Sequence, residues 1–459
     1  MINDVIAAVS TPPGKGGVAV IRISGDGAFE VAERVFRSAS GRSISAIAPR
    51  YQSYGYIVDG EEPIDDVLLS RFPAPNSYTG EDTVEISCHG GSLITRTVLE
   101  VLLANGARPA DAGEFTRRAF VNGKLSLTEA EAIGTLLEAQ SREQIRISAE
   151  PARRRLSEKI EEIRASLTSL MSSLYARIDY PDEDLGDYSD EELLSELRSI
   201  EKAIANLKDT YRTGRAITEG IDTVICGKTN VGKSSLYNLL LGEDAAIVTD
   251  IEGTTRDVLT HSVPLGRVML RLHDTAGIRS KLAADEVERI GIEKSRQMMN
   301  KCELLFALFD ISRPFDDQDE MLIKEIKSSS AVKIAILNKA DLERKFELPE
   351  GIFDHTVIIS TKREFEAISL LSDIVNELYA SDKLALDSSA IISSARQHAE
   401  LCEAQRFVLL AKEALESGVM QDAVSSDIER ALGAIAELDG RAVSEEITSD
   451  IFSKFCVGK

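Results

Sequence analysis

No stretch of this chain is apolar for the roughly 20 residues that a membrane-spanning helix requires. The N-terminus has no basic head with an apolar core and no Arg/Ser-rich transit peptide; it opens on the strand-like run Val5-Ile-Ala-Ala-Val9. Together these absences predict a cytosolic protein with no membrane contact. Cysteine is sparse. Cys88, Cys226, Cys302, Cys402 and Cys456 are odd in number, scattered and without zinc-ligand spacing, so reduced thiols are expected. Positive charge is short as well. The 53 Lys and Arg against 76 Asp and Glu leave a net charge of −23, which excludes a protein that coats nucleic acid by charge alone. Local basic patches survive that argument. Arg117, Arg118 and Lys124 form one candidate and Arg153, Arg154 and Arg155 another, although a solvated helix face explains the arginine triplet more simply. Internal repeats and low-complexity tracts are also missing.

What is present is enough for several cores. The 459 residues, 43% of them hydrophobic, suggest about three domains at roughly 150 residues each. Residues 1–120 read as α+β, with strand candidates at Gly17–Ile23, Asp65–Ser70 and Asp82–Ser87 punctuated by Pro12-Pro-Gly14 and Pro75-Asn-Ser77. Residues 121–220 read as helical. Leu156, Ile160, Ile163, Leu167, Leu170 and Leu174 recur at helical spacing, as do Leu194, Leu197, Ile200, Ile204 and Leu207 beyond the break at Pro181. Residues 221–382 alternate strand-like runs (268–273, 304–309, 332–337) with helical stretches, which predicts a mostly parallel sheet covered on both faces. Residues 383–459 turn helical again, with Leu401, Phe407, Leu410 and Leu415, then Ile428, Leu432, Ile435 and Leu438. The economical reading is an α/β domain inserted into one helical domain, behind an N-terminal α+β domain.

The richest motif is Gly227-Lys-Thr-Asn-Val-Gly-Lys-Ser-Ser235. It follows the apolar run Thr223–Cys226 and precedes a leucine-rich helix, the context a phosphate-binding loop needs. Asn230, Val231, Gly232, Lys233, Ser234 and Ser235 line that loop. Lys233 brings charge to the β/γ-phosphates and Ser234 a hydroxyl to Mg²⁺. Asn338-Lys-Ala-Asp341 directly follows the run 332–337. The Asp341 carboxylate can accept from guanine N1–H and its exocyclic amine, which adenine cannot satisfy. Ser360, Thr361 and Lys362 follow another apolar run and suit the guanine carbonyl. Asp274, Thr275, Ala276 and Gly277 end the run 268–273, with Asp274 placed for Mg²⁺ and the Gly277 amide for the γ-phosphate. Between lie Thr249, Asp250, Ile251, Glu252, Gly253, Thr254 and Thr255, the last a second Mg²⁺ hydroxyl ligand. The ordered set predicts a GTP-hydrolysing domain.

Ile278 follows Gly277, where Ras-like switches use glutamine to orient the attacking water. Another polar group must take that role, and Asp285-Glu-Val-Glu288 offers carboxylates. Asn230, with backbone carbonyls of the 249–254 loop, could coordinate a monovalent cation that neutralises the β–γ bridge. Alternatively, Asn230 merely stabilises its loop and the carboxylates are solvated.

Other segments widen the reading. Thr11-Pro-Pro-Gly-Lys-Gly-Gly-Val18, Ile21-Arg-Ile-Ser-Gly25, Tyr78-Thr-Gly-Glu-Asp82, His89-Gly-Gly91, Gly113-Glu-Phe-Thr-Arg-Arg-Ala-Phe120, Gly253-Thr-Thr-Arg-Asp257 and the terminal Phe455-Cys-Val-Gly-Lys459 resemble, along the full length, the MnmE (TrmE) tRNA-modification GTPases. The resemblance implies a folate-binding, dimerising N-terminal domain and a Ras-like G domain inserted into a helical one. It implies work with an FAD-dependent MnmG (GidA)-type partner, as a heterotetramer, to add an aminomethyl or carboxymethylaminomethyl group to C5 of a wobble uridine in tRNA. The carbon would come from 5,10-methylene-tetrahydrofolate, with a 5-formyl analogue as the other candidate ligand. GTP hydrolysis would be K⁺-stimulated, with the G domains approaching one another. By position, Asn230, Thr249, Ile251 and Thr254 would hold K⁺, Ser234 and Thr255 Mg²⁺, and Glu288 the attacking water. Arg22, Glu85, Lys124 and Lys459 match folate-contacting positions. Cys456 stays open between a reactive thiolate and a small buried thiol. His89 reads as a turn histidine, with no acid or thiol completing a triad. A ribosome-assembly switch would share the G-domain motifs but not the N-terminal and terminal ones.

Overall fold

The computed structural model describes residues 4–179, 189–242, 260–273, 298–380, 386, 388–419 and 421–458. The chain divides into two compact units. One comprises Met1–Leu137, Ile160–Tyr188 and Glu413–Lys459; the other comprises Glu138–Lys159 and Ser189–Lys412.

The first unit holds β1 (Ile6–Val9), β2 (Val18–Ser24), β3 (Phe36–Ser38), β4 (Gln52–Asp59), β5 (Glu62–Phe72), β6 (Thr83–His89) and β7 (Arg108–Pro109) in the order β3-β4-β5-β6-β2-β1-β7. Every pairing is antiparallel except β1 with β7. Side chains alternate between faces. Ile21, Ile23, Leu69, Val84 and Ile86 go to one side and are fully buried with the helices Ala28–Val35 and Ser92–Ala104, at about 1.5–3 kcal/mol per side chain. Arg22 and Glu85 go to the other face, directly opposite one another in register. In the helical part, Ile160, Ile163, Leu167, Leu170 and Leu174 are all buried, as their spacing predicts.

The second unit holds β8 (Ile221–Gly227), β9 (Thr260–Leu265), β10 (Val268–His273), β11 (Leu304–Asp310), β12 (Val332–Asn338) and β13 (His355–Ile358) in the order β13-β12-β11-β8-β10-β9. All neighbours run parallel except the β9–β10 hairpin. β11 is buried at every position, the mark of a parallel strand covered on both faces. The helix Asp190–Lys208 starts on a capping box in which Ser189 and Glu192 satisfy each other's backbone N–H. Its buried stripe is Leu193, Leu197, Ile200, Ile204 and Leu207. Leu193, not the expected Leu194, therefore begins it, since both fit the spacing and only packing chooses. Leu410 is likewise 38% exposed rather than core. Among the described residues no helix is long and apolar enough to cross a membrane.

Candidate functional site

β8, β12 and β13 are parallel, so the loops leaving them emerge along one edge of the sheet, where open α/β sheets bind ligands. β8 ends at Gly227, and the helix Lys233–Leu241 begins five residues of loop later, at 228–232. Asn230 has φ 64°, a left-handed turn that asparagine tolerates. Lys233 curls back over the loop, its Nζ donating to the carbonyls of Gly227, at 2.8 Å, and Lys228. Ser234 and Ser235 are exposed in the first turn of the helix. Lys228 is held by Asp316 at 2.8 Å and Asp319 at 2.7 Å. Burial pulls its ammonium down, but these two carboxylates outweigh that and raise it.

The 338–341 loop, the candidate base reader, is joined to the 228–232 loop. Asn338, 1% exposed, donates from Nδ2 to the Val231 carbonyl at 2.8 Å and accepts from the Thr361 N–H at 3.1 Å. Gly232 (φ 106°) lets this happen, because a Cβ there would sit 2.3 Å from Asn338 Nδ2. Asp341 accepts from Lys362 at 2.7 Å and Ser360 at 2.8 Å, and these bonds, Lys362 first, pull its carboxyl down to about 2. A carboxylate that stays ionised and fixed in place is what guanine's paired donors require. Lys339 reaches back to Asp310 at 2.6 Å. Asp310 and the Lys228 clamp carry no sequence motif and emerge only from the tertiary arrangement. Thr249, Asp250, Ile251, Glu252, Gly253, Thr254, Thr255, Asp274, Thr275, Ala276, Gly277, Glu288 and Lys459 lie outside the described residues.

A second constellation sits in the other unit. Arg22 Nε and Nη2 both donate to Glu85 Oε1, at 3.0 and 2.9 Å. The other carboxylate oxygen accepts nothing from the described residues. The Arg22 guanidinium lies 5.1 Å from the Tyr78 ring centroid and 5.5 Å from that of Phe115, within cation–π range. Lys124 donates to the Pro75 carbonyl at 3.1 Å and makes no hydrogen bond to this pair. The chain's tail lies along the same unit. Val457 bridges to Ala112, Gly113 N–H donates to the Cys456 carbonyl at 3.4 Å, and Ser10 Oγ donates to the Gly458 carbonyl at 2.9 Å. Cys456 is exposed, which removes the buried-thiol reading. Burial instead pushes the thiols of Cys226 up to about 12 and of Cys88 and Cys302 up to about 11, which makes those three inert. All five cysteines are unpaired.

Two expectations fail here. Arg118 belongs to no basic patch. It is 2% exposed and bonded to Asp4, Glu81 and Glu114, because an isolated charge is too costly to bury. Arg117 meets Glu445 at 3.3 Å. His89 does have an acid partner. Asp65 of β5 binds its Nδ1 at 2.7 Å and raises it above an ordinary histidine. The arginine triplet is a helix face, with Arg154 paired to Glu158 at 2.9 Å and Arg153 and Arg155 donating to backbone carbonyls.

Comparison with known proteins places the chain. Residues 5–124 match the family model described as the GTP-binding protein TrmE N-terminus, and residues 127–456 match the MnmE helical domain. The tRNA modification GTPase MnmE of Clostridioides difficile is 38% identical over 461 residues, covering 100% of both chains. That of Acetivibrio thermocellus is 37% identical over 462 residues, covering 100% of this chain and 99% of its own. Among solved structures, a variant of Aquifex aeolicus Era bound to GDP.AlF4- is 22% identical and covers 41% of this chain and 67% of its own, at a TM-score of 0.27 that carries no argument. On the end-to-end identity and both family models, the chain belongs to the MnmE family of tRNA modification GTPases and is a GTP hydrolase.

Proposed function

We propose that this GTPase works with an FAD-dependent MnmG-type flavoprotein to place a carboxymethylaminomethyl or aminomethyl group on C5 of the wobble uridine of certain tRNAs. The observation that supports a chemical role is the Arg22–Glu85 pair. A carboxylate with one oxygen unbonded among the described residues, beside a guanidinium flanked by two rings, suits the amino–amide edge of a pterin and the ring system around it. Lys124 and Lys459 suit the glutamate carboxylates of the same folate. When bound, methylene-tetrahydrofolate supplies the one-carbon unit. Cys456 is exposed on the anchored tail, which supports reading it as a reactive thiol over a packing residue.

In the G domain, Lys233 holds the β/γ-phosphates, and Asn338, Lys339, Asp341 and Ser360–Lys362 hold guanine. Ser234 and Thr255 hold Mg²⁺, which neutralises phosphate charge. Asn230, whose left-handed backbone turns the loop, holds K⁺ with Thr249, Ile251 and Thr254. Glu288 orients the attacking water in place of the missing glutamine. Residues 221–382 form that domain, inserted between helical segments 121–220 and 383–459. Residues 1–120 dimerise, and the protein acts in the cytoplasm.

Nucleoside analysis of tRNA from a deletion strain tests the reading. Wobble uridines lacking the C5 group support it; an unchanged nucleoside profile contradicts it. Hydrolysis should be faster in K⁺ than in Na⁺, with Asn230→Ala erasing the difference; equal rates in wild type refute the cation. Glu288→Ala should abolish hydrolysis and spare GTP binding.

A further inference from the structure

β10 runs parallel to β8, so the open end of the β9–β10 hairpin lies toward the sheet edge from which the 228–232 loop leaves. Thr260 opens β9 on the far side of the 249–257 segment, and His273 closes β10 immediately before Asp274. The two residues are directly opposite one another in the antiparallel register. Between them and β8 runs a hydrogen-bond relay. Thr260 Oγ1 lies 3.3 Å from His273 Nδ1, and His273 Nε2 lies 2.9 Å from Asp222 Oδ1. Asp222 also accepts from Arg271 Nη2 at 2.7 Å.

The chemistry fixes the imidazole's tautomer. A carboxylate only accepts, so Nε2 must carry the proton it donates to Asp222. Nδ1 is then the acceptor, and Thr260 donates to it. The opposite tautomer would lose the bond to Asp222 and keep only the one to Thr260, whose hydroxyl can accept as well as donate. One ring therefore ties the first residue of β9 and the last of β10 to β8, the strand that runs into the phosphate loop.

The rest of the hairpin does not need this tie. Leu270 and Leu272 are 0% exposed, and both β10 neighbours are paired along the strand. The turn is secured separately, with Arg267 N–H donating to Asn376 Oδ1 at 2.8 Å. At its open end, among the described residues, the hairpin is tied by His273 and, one residue into β9, by the bond between Tyr237 Oη and His261 Nδ1 at 2.7 Å.

We infer that His273 is a positioning residue for GTP hydrolysis, setting through Asp222 and Thr260 the point from which the chain departs toward Asp274. The inference rests on the nucleotide-site reading proposed above. It requires that His273 act on the rate of hydrolysis more than on GDP affinity, because the residues assigned to the base and to the phosphates that GDP retains follow other strands, whereas those assigned after β10 serve Mg²⁺ and the γ-phosphate.

The test is steady-state GTP hydrolysis by the full chain, with GDP affinity and melting temperature measured on each variant. His273→Leu, which keeps the strand apolar and removes both bonds, should lower kcat by about tenfold, one order of magnitude in rate, with KM and GDP affinity within about twofold. That is well short of the ~100-fold that misplacing reacting groups by 1 Å can cost. His273→Gln, whose amide can still donate to Asp222, should restore most of the loss. Thr260→Val added to His273→Leu should cost nothing further. An unchanged kcat, additive losses in the double variant, or a parallel fall in kcat, affinity and melting temperature each overturn the inference. Lys233→Ala separates this from the underlying reading. If it hydrolyses GTP normally the nucleotide site is misassigned, whereas if it is dead and His273→Leu is normal, the relay alone is wrong.

Discussion

The two sheets carry their candidate functional residues in different ways. In the parallel sheet they leave the ends of strands: the phosphate loop after β8, Asn338 at the end of β12, Ser360 after β13. Each is part of a short contiguous motif, and the strands behind them are buried scaffolding. In the antiparallel sheet they sit on a face. Arg22 and Glu85 are 63 positions apart and meet only because β2 pairs with β6. Strand ends can be read one segment at a time, whereas a face has to be folded before its residues become neighbours.

The difference also shows in what holds each site. The site of the parallel sheet joins two loops through a neutral amide, Asn338, with separate small ion-pair clusters beside it at Lys228 and Lys339. The antiparallel unit relies on buried charge. Arg108 and Arg118 share Glu114, and Asp4 binds both arginines. Burial pushes the Glu114 carboxyl up, but bonds from Arg108, the Asp111 N–H and Arg118 outweigh it and hold it below its ordinary value.

The contrast can be broken most forcefully at Arg118. Arg118→Met should destabilise the first unit by about 3–5 kcal/mol, the cost of stranding buried carboxylates, as read by denaturant unfolding, while GDP binding survives. Loss of GDP binding in step with unfolding would show that the two regions are not separable. Asn338→Ala comes next. It leaves the Val231 carbonyl and Thr361 N–H without their partner, at about 1–3 kcal/mol each, and should raise the GDP off-rate in stopped flow. An unchanged off-rate would mean the loops are joined some other way. Gly458→Ala should cost about 1–3 kcal/mol of local stability, since φ is 97° and a Cβ would meet the Val9 carbonyl oxygen at 2.2 Å. Faster hydrogen exchange at the Cys456–Gly458 amides, with the sheet unaffected, would confirm that the tail is anchored there.

The smallest effect is on pH dependence. The folded carboxyls of Glu114 and Asp4 are depressed. Their contribution is therefore fully present above about pH 4, the ordinary carboxylate value, and is lost as pH falls through the depressed folded values. Glu114→Gln should flatten the acid limb of the first unit's stability curve; an identical slope would remove Glu114 from the account.

Legibility in the sequence followed the same division. The runs 268–273, 304–309 and 332–337 were readable as β10, β11 and β12 because strands mostly buried in the sheet are near-continuous apolar stretches, β11 throughout. β4 and β9 were not. β4 mixes exposed Tyr54 and Tyr56 with buried Ile57, and β9 is an edge strand that includes Pro264. The 228–232 and 338–341 loops stand where the sequence motifs put them, at strand ends, whereas Arg118 reads as surface charge in the sequence because two of its three acids come from distant segments. The Asp65 partner of His89 was missed for the same reason.

The central claim is that this chain reads guanine through Asp341, and nucleotide titration into wild type and Asp341→Asn tests it most directly. The account predicts GDP bound on the order of 100-fold or more tighter than ADP, and a switch of preference in the variant toward xanthosine diphosphate, whose C2 carbonyl accepts where guanine donates. ADP binding as tightly as GDP, or a variant that still prefers GDP, would contradict it.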